Sequence, residues 1–133
     1  MTASITYQGN LRCTAVHMKS NTQLLTDAPV DNHGRGEAFS PTDLVAAAAA
    51  SCMMTVMGIK AGELGLDLSG SVATVEKIMA TAPRRISELN IVMNMTGGVD
   101  KRHRLILERV AVTCPVFESL HTDLNKNIQF NWS

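Results

Sequence analysis

Aromatic side chains make up only 4% of the 133 residues, and 12 basic residues are matched by 12 acidic ones, for a formal net charge of zero. Balanced charge gives no long-range pull toward nucleic acid or an anionic membrane. The one basic cluster, Lys101-Arg102-His103-Arg104, has no interleaved aromatic residue on which a base could stack, so it reads as a solvated face. Neither nucleic acid nor membrane is expected as a partner. Cysteine is scarce too: Cys13, Cys52 and Cys114 are too few for a disulfide scaffold, and no two form a CxxC pair. None of His17, His33, His103 and His121 stands at metal-ligand spacing from another or from a cysteine, so no metal is expected. The opening MTASITYQGN lacks the basic and apolar segments of a secretory signal. A cytoplasmic protein is expected, and in a reducing compartment a disulfide is more often catalytic than structural.

What the chain does have is one long apolar run, SPTDLVAAAAASCMMTVMGIKAGEL, from Ser40 to Leu64. Ser40 suits an N-cap, Pro41 the first helical position, and Asp43 lies three residues after the cap. Between Leu44 and Ile59 only Ser51, Cys52 and Thr55 carry polar groups. A helix apolar all round spans a membrane or is enclosed by protein. Sixteen residues reach roughly 24 Å, short of a hydrocarbon core of roughly 30 Å. An enclosed helix is expected, with Cys52 near its middle.

On either side the pattern changes to strands. Leu11, Cys13, Ala15 and His17 alternate against Arg12, Thr14, Val16 and Met18, with turn signals at Gly9-Asn10 and Ser20-Asn21. Cys13 reads as a packing residue. Asp27 to Ser40 is a loop carrying Arg35 and Glu37. Ser71 to Met79 and Arg85 to Met95 read as a hairpin, the second strand placing Leu89, Ile91, Met93 and Met95 on one face. Asp100 can cap a helix running to about Val112, and Asn127 to Trp132 closes the chain as a strand. Met53, Met54 and Met57 read as core packing, or as a soft lining that would admit an acyl chain.

Cys114 precedes Pro115 and so falls at the N-cap of a short helix, where exposed N–H groups favour a thiolate. If the sulfurs of Cys52 and Cys114 meet, peroxide reduction fits best: one thiolate becomes a sulfenic acid and the other thiol condenses with it. Burial alone would raise the attacking thiol's pKa, so a cation must accompany it. Arg35 and Arg12 are the candidates, with Glu37 available to hold the guanidinium. A cysteine hydrolase is disfavoured because no histidine is placed as an evident base for Cys52.

Pro41-Thr42-Asp43-Leu44, a small-residue helix carrying Ser51-Cys52, and Cys114-Pro115-Val116 some sixty residues on resemble the osmotically inducible protein C and organic hydroperoxide resistance (OsmC/Ohr) family. The resemblance covers essentially the whole chain as a single domain, residues 1–133. It implies an α+β fold with antiparallel sheets around a long buried central helix, built as an intertwined homodimer. It also implies a thiol peroxidase acting on organic hydroperoxides, with a dithiol or lipoyl-type reductant and no bound cofactor. By motif, Cys52 matches the peroxidatic and Cys114 the resolving cysteine; Arg35 would stabilise the thiolate and Glu37 orient that arginine. The chain departs from the family at Thr42, where peroxidase branches carry a glutamate that pairs with the arginine. That departure supports a second reading, a dimeric small-molecule carrier that kept the scaffold and thiols without catalysis.

Overall fold

The computed structural model describes residues 1–133. Its backbone falls into two compact units, Met1–Val45 and Ala46–Ser133.

In the first unit, β1 (Ala3–Gly9), β2 (Arg12–His17) and β3 (Gln23–Asp27) form an antiparallel sheet in the order β1-β2-β3. Gly9, Asn10 and Leu11 take φ values of 83°, 56° and 62°, the left-handed backbone that a tight hairpin needs. The β2–β3 hairpin pairs Arg12 with Asp27 and Val16 with Gln23. After β3 the chain folds tightly on itself through a 3₁₀ turn at Val30–Asn32. A Cβ at Gly34 would lie 1.7 Å from the Ala28 carbonyl oxygen, so only glycine fits there.

Helix α1 (Pro41–Glu63) starts as the cap residues dictate. The Asp43 N–H donates to Ser40 Oγ and the Ser40 N–H donates to Asp43 Oδ2, each at 3.0 Å, a reciprocal capping box. The first helical turn belongs to the first unit and the remainder to the second.

In the second unit α1 buries Ala46, Ala49, Ala50, Met53, Met57 and Ala61, a stripe at helical spacing. These side chains join one core with Leu89, Ile91, Met93 and Met95 of β5 (Arg85–Met95), preceded by its hairpin partner β4 (Val72–Ala80). After β5 the chain crosses over through α2 (Lys101–Ala111) and α3 (Pro115–Ser119) before β6 (Asn125–Trp132). That crossover returns β6 parallel to β5, whereas β4 is antiparallel to it. The expected antiparallel pairing thus holds for the pairs joined by hairpins and gives way where helices intervene.

The outer face of this sheet is polar. Asn127 donates to Asn90 and Asn131 to Asn94, both at 2.9 Å, and Asn127 also contacts Glu88. Asp100 caps α2 by accepting the His103 N–H at 3.0 Å, as its sequence position predicts. Of the basic cluster, His103 Nδ1 contacts Asp100 Oδ2 at 2.9 Å and Arg104 lies 5.7 Å from the Trp132 ring centre.

Within one chain α1 is not enclosed on every side. Ala48, Ser51, Thr55, Gly58, Ile59 and Gly62 are exposed, Ile59 at 62%. At 23 residues the whole helix is also long and apolar enough to cross a membrane by length and composition. The shorter estimate from sequence counted only its apolar middle. Its Ala49, Met53 and Met57 are nevertheless fully enclosed by protein, as in a core helix.

Candidate functional site

Cys52 is half-buried on α1, its side chain packed against the core of the second unit. Cys114, in that same core, is completely buried. Pro115 opens α3, which makes Cys114 the N-cap, and its Sγ accepts the Phe117 N–H at 3.4 Å. The two thiols are near enough for Cys52 to influence the Cys114 proton. Burial pushes the Cys114 thiol above its ordinary range; a hydrogen bond with Cys52 and the charge Cys52 carries when ionised push it further. The N–H groups of Phe117 and Val116 pull the other way. The helix start thus favours the Cys114 thiolate as expected, but desolvation outweighs the N-terminal N–H groups and the net shift is upward. All three cysteines are free thiols, and Cys13 lies on β2 in register with Tyr7 and Thr26.

A separate cluster forms in the first unit. Arg12 Nη2 lies 2.6 Å from Glu37 Oε2 and 3.3 Å from Asp27 Oδ2. Asp27 is wholly buried, while the Glu37 side chain is 61% exposed. Asp27 Oδ2 also accepts the Glu37 N–H at 3.1 Å. That N–H, followed by the Arg12 guanidinium, holds the Asp27 carboxyl below the usual carboxylate range despite its burial; Arg35 contributes the weakest of these influences, through its charge. Glu37 and Asp27 in turn raise the Arg12 guanidinium further above its already high value.

Glu37 was expected to orient Arg35; its ion pair is instead with Arg12. Strand pairing sets Arg12 opposite Asp27, and anchoring of the Glu37 backbone on Asp27 brings the Glu37 carboxylate to the same guanidinium. Arg35 is exposed two residues before Glu37. Asp27 is the residue the sequence reading missed, because nothing in a loop-edge aspartate announces its burial.

The OsmC-like protein family model matches residues 34–129, most of the chain and both thiols of the pair. The chain belongs to the OsmC-like protein family. A Psychrobacter arcticus protein named for an osmotic stress and detoxification response has 46% sequence identity, with a TM-score of 0.95 over 98% of this chain and 96% of that one. An OsmC-like protein of Mycoplasma pneumoniae shares the fold at 14% identity, with a TM-score of 0.81 over 98% of this chain and 94% of that one. An organic hydroperoxide resistance protein of Legionella pneumophila shares it at 18% identity, with a TM-score of 0.69 over 100% and 97%. No curated protein matches the chain closely enough to count as a relative.

In this OsmC-like chain the position after the helix-start proline is Thr42, and Asp43 does not stand in for a glutamate there. Its carboxylate is engaged in the capping box with Ser40. Met53 and Met57 are completely buried core residues, so the bland reading of the methionines holds for both. Met54 differs: with Ala47, Ala50, Ser51, Thr55, Ser71, Ala73 and Val75 it borders an open cleft of about 410 Å³.

Proposed function

We propose that this OsmC-like protein is a two-cysteine thiol peroxidase that reduces organic hydroperoxides. The Cys52 thiolate attacks a peroxide oxygen, the O–O bond breaks, the alkoxide leaves and takes up a proton as alcohol, and Cys52 becomes a sulfenic acid. Cys114 sulfur then bonds to Cys52 sulfur, its proton and the sulfenic hydroxyl leave as water, and a disulfide forms. An external dithiol, lipoyl or similar, returns both thiols by two exchange steps and is itself oxidised. Such a cycle suits the reducing cytoplasm.

The observation that carries this reading is that Cys52 packs against the core that holds Cys114, near enough to help hold the Cys114 proton. A protonated Cys114 leaves Cys52 as the attacking nucleophile in the first step; Cys114 must then give up its proton to attack the sulfenic sulfur. The reading needs a cation to keep Cys52 ionised, and Arg35 and Arg12 are its candidates. The names of the Legionella and Psychrobacter relatives point the same way, toward hydroperoxide resistance and detoxification. The carrier reading needed Met53 and Met57 to line a ligand, and both are enclosed in the core.

The functional form is read as a homodimer. Support comes from the exposed stripe of α1 and from Ile5, Tyr7, Leu24 and Leu25, which the three-stranded sheet leaves exposed.

Turnover of cumene hydroperoxide with dihydrolipoamide tests the assignment. Cys52→Ser should fall to the uncatalysed background. Wild-type rates in that variant, or no turnover by the native protein with any dithiol, would overturn it.

A further inference from the structure

We infer that a cleft along the Cys52 face of α1 is the docking site of the external dithiol, and that it takes a dithiol carried on an aliphatic chain ending in a neutral amide. The inference rests on the function proposed above, and it deepens that reading by naming the chemistry of the reductant.

The cleft, of about 330 Å³, lies in the second unit between α1 and the end of α2. Val56, Ile59, Lys60 and Glu63 border it from α1, and Val110 and Thr113 from the other side. Counted from Cys52, the α1 residues stand at i+4, i+7, i+8 and i+11, the spacing of a single helix face. The thiol therefore shares its face with every α1 residue of the cleft. Val56 is one turn from Cys52, roughly 6 Å along the axis, and Lys60 is two turns away, roughly 12 Å. On the opposite wall, Thr113 directly precedes Cys114 in the chain. Both sulfurs thus belong to segments that border this cleft. Of the exposed stripe on which a second copy is expected, only Ile59 also borders it.

The lining changes character with distance from Cys52. Val56 and Ile59 come first, the one half-buried and the other 62% exposed. An aliphatic chain laid along them removes apolar surface from water. Farther along the same face, Lys60 Nζ and Glu63 Oε2 form an ion pair at 3.0 Å. The pair is neutral as a whole, with donors on one side and acceptors on the other. A carboxylate tail would gain Lys60 but meet the like charge of Glu63; an ammonium tail would suffer the reverse. An amide offers a carbonyl to Lys60 and an N–H to Glu63 and meets no like charge. That complementarity selects the amide.

A dithiol so held approaches the Cys52–Cys114 disulfide from the Cys52 side. Cys52 is half-buried and Cys114 completely buried, so the incoming thiolate attacks the Cys52 sulfur. The protein S–S bond breaks, and the Cys114 sulfur leaves with the electron pair and takes up a proton. The reductant's second thiol loses its proton and displaces Cys52, which leaves as a thiolate while the reductant closes its own disulfide.

Octanamide and octanoate carry the chain without thiols and test the site in the reduced protein by NMR titration. Octanamide should bind about tenfold more tightly than octanoate, moving the methyl resonances of Val56, Ile59 and Val110. In Glu63→Lys, an exposed change, two cations replace the pair and the order should invert in favour of octanoate. During turnover of cumene hydroperoxide, octanamide should raise the KM for dihydrolipoamide and leave that for the peroxide unchanged. Equal affinities, no octanamide binding, methyl shifts confined to other residues, an order unchanged in Glu63→Lys, or competition with the peroxide instead would each overturn the inference. If the native protein turns over no hydroperoxide while octanamide binds and the order inverts, the proposed function fails and the amide site stands. If turnover is brisk but octanamide binds elsewhere or not at all, the site fails and the function stands.

Discussion

Arg12 and Asp27 face each other as the last pair of the β2–β3 ladder, joined at 3.3 Å with the carboxylate completely buried. A charge in that position persists because two donors reach one oxygen: the Glu37 N–H and the Arg12 guanidinium. One residue thereby connects strand pairing, loop closure and the placement of the arginine.

The first consequence is a pH dependence of folding. The Asp27 carboxyl is held low chiefly by the Glu37 N–H and next by Arg12, and its folded value lies below the unfolded one. Its stabilisation is fully present above the unfolded-state value, about 3.9, and is lost as pH falls through the lower folded value. Thermal melts from about pH 2 to 7 should show a steep acid loss in the native protein and a shallower one in Asp27→Asn. Asp67 and Asp100 are also held low, by Ser69 and His103 respectively, so part of the slope should remain.

Removing the second thiol should stop the cycle one step later than removing the first. In Cys114→Ser, one equivalent of cumene hydroperoxide should leave Cys52 as a sulfenic acid that dimedone traps, visible by mass spectrometry. Excess peroxide should carry it on to the sulfinic acid. A Cys114→Ser protein that yields no dimedone adduct on Cys52 would contradict the assigned order of the two sulfurs.

Much of this architecture was legible in the sequence, and what was hidden has physical causes. Ser40-Pro41 marked the start of α1, and the alternation from Leu89 to Met95 marked the buried face of β5, because capping and period-two burial are local signals. Asp27 was hidden because it depends on register. A turn centred on Ser20-Asn21 would set Arg12 opposite Pro29, whereas the actual hairpin sets it opposite Asp27. The exposed face of α1 was hidden for a different reason. Ala48, Ser51, Gly58 and Gly62 are as small and as weakly polar as the buried alanines beside them, so the two faces read alike. The upward shift of the Cys114 thiol required knowing its burial, which outweighs the helix start that the sequence did reveal.

The two arginines should separate in turnover. Arg35 is exposed and acts on Asp27 only weakly, so Arg35→Ala should keep the hydroperoxide rate within about twofold of native, as surface charges usually do. Were Arg12 the catalytic arginine, Arg12→Met would instead lower the rate about tenfold or more, about 1.4 kcal/mol of barrier. Steady-state assays of the two variants side by side give the contrast. The opposite ranking would return the catalytic role to Arg35.

Core packing between α1 and β5 makes a further demand. Leu89 is completely buried with Met53 and Met57 in the cluster beneath the sheet. Leu89→Ala should cost about 2–5 kcal/mol, the transfer of the lost methylenes plus the cavity they leave. Urea denaturation should show the midpoint falling with little change in slope.

The dimer reading predicts an inversion of sign at Gly58. A Cβ built there meets nothing within 4 Å in its own chain, and the residue is in mid-helix with ordinary backbone geometry. Helix propensity alone would make Gly58→Ala stabilising by about 1 kcal/mol. If a second copy packs its own α1 against this stripe, the same methyl lies in the contact and holds the helices apart, since interaxial distance follows the side chains at the crossing. The expected outcome is therefore a weaker dimer by analytical ultracentrifugation, together with a helix no less stable within each subunit. A Gly58→Ala protein that melts higher and associates as the native one does would show that this face of α1 is not where the copies meet.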